Sequence, residues 1–321
     1  MAEQRGINGS GKKGPGSVIG YHVKVFKKNW QLLFLCLPAL TAYFLFQYVP
    51  MAGIVMAFKD YKYNLGIFGS KWIGFKNFKY LLTSPDLWRI TRNTVGYSLV
   101  FLALGILLEI TVALLLFEID NKKSLKFYQT CMQFPRFMSW VIVGFITYAL
   151  FNPKYGVLNQ ILSALNLERV DVYANASYWP FILVICNSWK TVGAGCIMYY
   201  AALMGIDESL YEAASIDGAT RWQQTRYISI PSLVSIATIM AILQIGNIFS
   251  GDFGLFYQIP RNVGTLYSTT DIVNTYVFRS LQNSRYAAGA ATGLLQSTLG
   301  LIMVLLANGV VRKIAPENAM F

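Results

Sequence analysis

The residues best suited to metal or redox chemistry, four cysteines and one histidine, are scattered along this 321-residue chain. No two cysteines have the close spacing of zinc or thiol redox motifs, and all lie in or beside apolar runs. His22 has no second histidine with which to hold a haem through paired axial ligands. We therefore predict buried thiols, a solvated or headgroup-level His22, and no metal or haem. The cysteines are Cys36, Cys131, Cys186 and Cys196.

The chain also lacks a convincing nucleotide or catalytic motif. Residues 6–13, GINGSGKK, nearly match a phosphate-binding loop, but Lys13 occupies the position of the hydroxyl residue that would bind Mg²⁺. No apolar strand precedes this segment, and neither H-E-x-x-H nor G-x-S-x-G occurs in the sequence. We expect a non-catalytic chain that binds no cofactor of its own.

Composition indicates that the surrounding elements are membrane spans. The chain is 55% hydrophobic and 13% charged, against about 45–50% and about 25% in soluble proteins. Charge-poor runs long enough to cross about 30 Å of hydrocarbon predict an all-α polytopic membrane protein with six transmembrane helices. The six predicted helices lie within a transmembrane domain, 29–315. A flexible basic tail, 1–28, precedes this domain and a C-terminal tail, 316–321, follows it. The predicted spans are about 30–57, 93–117, 131–151, 179–205, 230–251 and 286–311.

The net charge of +12 fits contact with anionic lipid headgroups better than nucleic-acid binding, given so many apolar residues. Lys24, Lys27 and Lys28 immediately precede the first span, which favours a cytoplasmic N-terminus and, with six spans, a cytoplasmic C-terminus. The loops on the other side carry nearly as many basic residues, so charge alone orients the chain weakly. One of them, from Lys59 to Arg92, is rich in aromatic residues and predicts a folded cap at the membrane surface.

The loop between the fourth and fifth spans, 207–231, has the pattern of two short helices joined by a tight turn. Asp207 or Ser209 could cap the first helix, and Ser209 with Glu212 fits a capping box. Gly218 suits a C′ position with positive φ, and Thr220 with Gln223 fits a second capping box. From local physics, a solvated amphipathic loop and a docking site for a partner protein remain equally open.

This loop contains EAA, then DGA, then I-x-[LI]-P. The order of these motifs resembles the signature of the membrane subunits of binding-protein-dependent ABC importers. In that family the loop is a coupling helix that inserts into a groove of the ATPase subunit. The chain departs at Thr225, where an aromatic residue is usual, and at Ile230, where leucine usually precedes the proline. The matching residues are Glu212, Ala213, Ala214, Asp217, Gly218, Ala219, Ile228 and Pro231.

The resemblance extends from about residue 30 to the C-terminus. The segments NSWKTVGAGCIMYYAALMGID, GDFGLFYQIPRN and TLYSTTDIVNTYVFRSL are similar to the carbohydrate branch of these permeases, within the subgroup for polysaccharides and complex oligosaccharides. It implies a type I importer permease fold in the bacterial cytoplasmic membrane. It also implies a second, different permease subunit, two ATPases that bind ATP and Mg²⁺, and an extracytoplasmic binding protein that delivers an oligosaccharide.

Polar side chains inside the spans are candidates for the substrate path, since burying them in a membrane is costly. Aromatic rings with amide or charged groups suit a sugar. If Lys190 faces the cavity, an acidic sugar is favoured; alternatively, Lys190 and Glu109 could pair or snorkel, and Trp189 and Tyr199 could simply pack. The candidates are Glu109, Asn187, Trp189, Lys190, Tyr199, Gln244 and Asn247.

Three alternatives remain at this stage. The chain could be an ABC importer permease for amino acids, peptides or phosphate. An ion-coupled secondary transporter or channel would be expected to show intramembrane acids or broken paired repeats, and only Glu109 qualifies. A membrane-anchored structural or sensor protein would be expected to carry a sizeable soluble domain, which the predicted loops leave no room for.

Overall fold

The computed structural model describes residues 29–314, so the predicted tails 1–28 and 316–321 lie outside the described residues. The described residues divide into two compact units, with the boundary between Ile54 and Val55. In the first, helix α1 (Trp30–Tyr43) continues into a π-helical turn, Phe44–Tyr48. A 3₁₀ segment, Val49–Phe58, follows and extends past the boundary between the units. The segment Phe34–Phe58 is long and apolar enough to cross a membrane.

The second unit is helical apart from a two-stranded antiparallel hairpin, in which Lys59 pairs with Trp72. Its regular elements, in chain order, are β1 (Lys59–Asp60), α2 (Gly66–Gly69), β2 (Lys71–Trp72), α3 (Lys76–Thr83), α4 (Pro85–Phe117), α5 (Lys122–Gln133), α6 (Trp140–Phe151), α7 (Val157–Ala164), α8 (Trp179–Leu203), α9 (Glu208–Ile216), α10 (Arg221–Gln224), α11 (Ile230–Gly246), α12 (Phe253–Gln258), α13 (Tyr267–Thr270), α14 (Val273–Gln282) and α15 (Tyr286–Ile314).

Five described helical segments could cross a membrane by length and composition, and a bent pair would make a sixth. That pair corrects the expected form of the third span, 131–151: α5 with the 3₁₀ turn Phe134–Phe137 meets α6 at 95°. Pro135 lies in this turn and lacks the N–H that a continuous helix needs. Ser139 then starts α6 by accepting a hydrogen bond from the Ile142 N–H at 3.3 Å.

The segment between α11 and α15 contains α12, α13 and α14. The buried carboxylate of Asp271 anchors it to the start of α4, with one oxygen 3.0 Å from Arg89 and 2.7 Å from Arg279. The Asn93 side chain adds a 2.9 Å hydrogen bond to the Asp271 carbonyl. A buried charge is stable only when it is paired and hydrogen-bonded. This network therefore fixes the segment against the N-terminal end of α4.

Helices α4 and α8 make the most extensive contact between helices of the described chain. Glycine allows their close approach: a Cβ atom on Gly195 would lie 2.1 Å from the Glu109 carboxyl carbon. Gly193 allows α8 to approach α5 in the same way, since a Cβ atom there would lie 1.8 Å from the Met132 carbonyl oxygen. Small residues at helix crossings are typical of membrane proteins, where van der Waals packing holds helices together.

Candidate functional site

The loop between α8 and α11 is built by local hydrogen bonds. Asp207 caps α9 by accepting from the Ser209 N–H at 3.0 Å, and this hydrogen bond lowers the pKa of the Asp207 carboxyl. Asp207 is therefore the N-cap, and the alternative capping box of Ser209 with Glu212 does not form. Ser209 lies inside the first turn of α9, where its N–H serves as the donor to the cap.

The turn after α9 is a Schellman motif. Gly218 has φ +79° at C′, its N–H donates to the Ser215 carbonyl at 3.1 Å, and the Ala219 N–H donates to the Ala214 carbonyl at 2.9 Å. Thr220 then caps α10 through the expected reciprocal capping box with Gln223. A π-helical turn, Thr225–Ser229, joins α10 to α11, so the second helix of the loop runs directly into a span.

Helix α9 contains no buried residue. Leu210 is 52% exposed and Ile216 is 86% exposed, beside exposed Glu208 and Glu212. Helix α9 therefore presents both apolar and acidic side chains at its surface. The other family-like residues of the loop are placed as follows: Ala213, Asp217, Gly218 and Pro231 are exposed, and Ala214, Ala219 and Ile228 are partly exposed.

A cavity of about 250 Å³ with both polar and apolar lining lies between α4, α8, α11 and the start of α12. Four of the seven predicted path residues line it: Glu109, Asn187, Gln244 and Asn247. The structure adds hydroxyl, carboxylate and aromatic side chains that sequence reasoning missed. These are Thr94, Tyr97, Ser98, Phe101, Thr191, Ser250, Asp252 and Phe256.

A periodic signal could have identified several of the missed residues. Thr94 and Ser98 are four residues apart in the apolar helix α4, and Thr191 follows Asn187 by four residues in α8. Residues at this spacing share one helix face. The polar stripes therefore mark the faces that α4 and α8 turn towards the cavity.

The three remaining candidates do not line this cavity. The Lys190 ammonium donates to the Met138 carbonyl at 2.5 Å and lies 4.6 Å from the centre of the Trp140 ring. Met138 lies in the break between α5 and α6, where the helical hydrogen-bond pattern is interrupted. Lys190 therefore supplies a hydrogen bond to a backbone carbonyl of the broken span. Trp189 lines a separate apolar groove, and Tyr199 is fully buried in the core beside Leu116 and Leu203.

Residues 110–316 match the protein family described as the inner membrane component of binding-protein-dependent transport systems. The chain belongs to this family. It is therefore a multi-pass membrane permease, with no catalytic role of its own indicated by the family.

Two curated relatives of the permease come from Bacillus subtilis. One, LplB, is 32% identical over 94% of this chain and 95% of its own length. The other, the polygalacturonan/rhamnogalacturonan transport system permease protein YteP, is 33% identical over 92% of each chain. The permease thus resembles both relatives along almost their whole length.

Two solved structures share the fold of the permease. A chain of a bacterial ABC transporter involved in the import of the acidic polysaccharide alginate has a TM-score of 0.82 and 33% identity, covering 92% of this chain and 99% of that chain. A chain of the alginate transporter in complex with an alginate pentasaccharide-bound periplasmic protein has a TM-score of 0.80 and 34% identity, covering 91% and 97%.

Proposed function

We propose that this permease forms half of the translocation path for an oligosaccharide or polysaccharide fragment. The observation that carries the proposal is the cavity in which the partly exposed Phe101 ring lies beside amide and hydroxyl groups. Aromatic faces pack against the C–H surface of a sugar ring, and the polar groups can exchange hydrogen bonds with its hydroxyls. The polysaccharide transporters among its relatives support the same substrate class.

The loop 207–231 is proposed to be the ATPase-coupling element, with Glu212, Ala213, Ala214, Asp217, Gly218, Ala219, Ile228 and Pro231 as its family residues. The exposed face of α9, with Leu210 and Ile216 at its surface, supports docking into a groove of a partner. Glu208 and Glu212 lie one turn apart on this helix and could bind basic residues of that partner.

The assembly proposed is a second, different permease subunit, two ATPase subunits that bind ATP and Mg²⁺, and an extracytoplasmic binding protein. Docking of the loop on an ATPase places it in the cytoplasm. With six spans, both termini are then cytoplasmic. The remaining exposed apolar surface of the spans would contact membrane lipid and the second permease.

Transport then follows from a change of conformation at the loop. ATP binding closes the pair of ATPases, the docked loops move with them, and the two permeases switch from inward-facing to outward-facing. Such a switch requires ATP and the loaded binding protein to favour one conformation over the other. The free energy comes from the ATPases, and the permease supplies the mechanical connection and the path.

The decisive experiment is reconstitution of the permease with its second permease, ATPase and binding protein in proteoliposomes. Acidic uronate oligomers, neutral oligosaccharides, amino acids, peptides and phosphate would be compared for stimulation of ATP hydrolysis and for uptake. We expect a glycan to stimulate both. Stimulation by a non-sugar solute alone would overturn the substrate class.

A further inference from the structure

Tyr211, next to the EAA residues, connects α9 to two membrane helices. Its hydroxyl lies 2.8 Å from the Ser229 hydroxyl, and Ser229 is only 2% exposed. Its ring centre lies 5.9 Å from that of Phe117, the last residue of α4. Tyr211 therefore extends towards the base of the spans, while Leu210 and Glu212 on either side of it in sequence are exposed.

Ser229 is the last residue of the π-helical turn that joins α10 to α11. At the end of that turn, the Ile230 N–H donates to the Thr225 carbonyl five residues earlier. Such wide turns occur frequently at functional sites. The Tyr211–Ser229 hydrogen bond thus joins α9 to the point at which the loop becomes a span.

The other connections of the loop are less suited to transmit movement. The Gln224 amide donates to the Ser215 hydroxyl at 2.8 Å, which ties α9 to α10 inside the loop. Arg221 reaches Glu118 at 2.8 Å, but their side chains are 76% and 43% exposed. Solvent and salt weaken an exposed ion pair, whereas the contact between Tyr211 and Ser229 is partly buried.

We propose that Tyr211 is a positioning residue that makes α9 move as one body with α11 and α4. The proposal rests on the proposed docking of α9 to an ATPase. The Ser229 hydroxyl and the Phe117 ring hold Tyr211 on its two sides. Without the hydroxyl contact, α9 still docks, but part of its displacement bends the loop and does not reach the spans.

The test uses the complete reconstituted importer with Tyr211→Phe, Ser229→Ala and the double variant. The measurements are ATPase subunits retained on purification, ATP hydrolysis, and substrate imported per ATP hydrolysed. We expect retained assembly and a roughly fivefold lower import per ATP, the effect expected for one lost hydrogen bond. The double variant should be no worse than either single variant, because both remove the same contact.

Tyr227→Phe is the matched control, since Tyr227 lies in the same π-helical turn and is exposed. It should leave import per ATP unchanged. Unchanged import per ATP in Tyr211→Phe, additive effects of the two substitutions, or loss of the ATPase subunits from Tyr211→Phe would each overturn the positioning role. Glu212→Lys tests docking separately: normal uptake in that variant overturns the docking proposal, whatever Tyr211→Phe does.

Discussion

The loop 207–231 and the cavity between α4, α8 and α11 hold their candidate residues in opposite ways. In the loop, Asp207, Gly218 and Thr220 fix the backbone through contacts only a few residues apart in sequence, and the side chains proposed to bind a partner stay exposed. In the cavity, Glu109 and Gln244 come from different helices and meet only because those helices pack closely. The loop is therefore specified locally and the cavity by tertiary packing.

This difference predicts different responses to substitution. A change of backbone geometry in the loop should interrupt coupling while the chain remains folded, because the loop makes few contacts with the core. A change of volume where α8 packs against α4 and α5 should disturb the cavity and the fold together, because the same contacts support both.

Gly218→Pro should have the largest effect. Gly218 has φ +79° and its N–H donates to Ser215, whereas proline fixes φ near −65° and has no N–H. The local cost of about 3 kcal/mol should disrupt the turn, and uptake into proteoliposomes should fall at least about tenfold. Membrane insertion should be normal by detergent extraction.

Gly218→Asn is the matched control, since asparagine adopts positive φ more readily than other side chains. It should retain most uptake. Equal loss of uptake in both variants would mean that the absence of a side chain, and not the turn geometry, is what coupling requires.

The second largest effect is expected for Gly193→Ala. The new Cβ atom would lie 1.8 Å from the Met132 carbonyl oxygen, a backbone atom of α5 that cannot rotate away, and overpacking of this kind costs about 1–3 kcal/mol. The thermal midpoint of the purified permease in detergent should fall, and uptake should fall with it.

Gly293→Ala provides the comparison within another membrane helix. A Cβ atom on Gly293 meets nothing within 4 Å, so this variant should be unchanged or more stable by up to about 1 kcal/mol. Equal midpoints for Gly193→Ala and Gly293→Ala would contradict the close packing of α8 against α5.

A smaller effect, on selectivity, is expected for Glu109→Gln. The Glu109 side chain lines the cavity, whose described lining contains no lysine or arginine, and in its ionised form it should repel an acidic sugar. Neutralising it should raise the uptake of uronate oligomers relative to neutral oligosaccharides by roughly threefold to tenfold, up to about 1.4 kcal/mol.

Lys190→Met is the contrasting variant. Because Lys190 binds the Met138 carbonyl at the break between α5 and α6, it should lower the thermal midpoint and leave the ratio of acidic to neutral uptake unchanged. A loss of uronate uptake at full thermal stability would return Lys190 to the substrate path.

The sequence predicts those parts of the molecule whose structure depends on residues close together in the chain. The turn at Gly218 and the capping box of Thr220 with Gln223 follow from residue types at fixed spacing, and both are confirmed. The spans follow from runs of apolar residues, but the 95° bend between α5 and α6 does not. A proline and a serine cap are visible in the sequence, while the angle depends on what packs around them.

The cavity was harder to predict for a related reason. A polar residue in an apolar helix signals that it needs a partner, but not which one. Asn187 and Lys190 are three residues apart in α8, yet one lines the cavity and the other binds the backbone at a break in a neighbouring span. Only the packing of α8 against the other helices separates these two roles.

The smallest effect is expected for Arg221→Ala, which removes the ion pair between α10 and Glu118 just after α4. The two side chains are 76% and 43% exposed, and exposed pairs contribute about 0–1 kcal/mol. Uptake should change by less than about twofold, and any change should vanish in high salt because ions screen the attraction. The double variant Arg221→Glu with Glu118→Arg exchanges the two charges, and its uptake should equal that of the unsubstituted permease. A loss of uptake as large as that of Gly218→Pro would show that this exposed contact carries movement from the loop into α4, and that the loop depends on tertiary contacts as much as the cavity does.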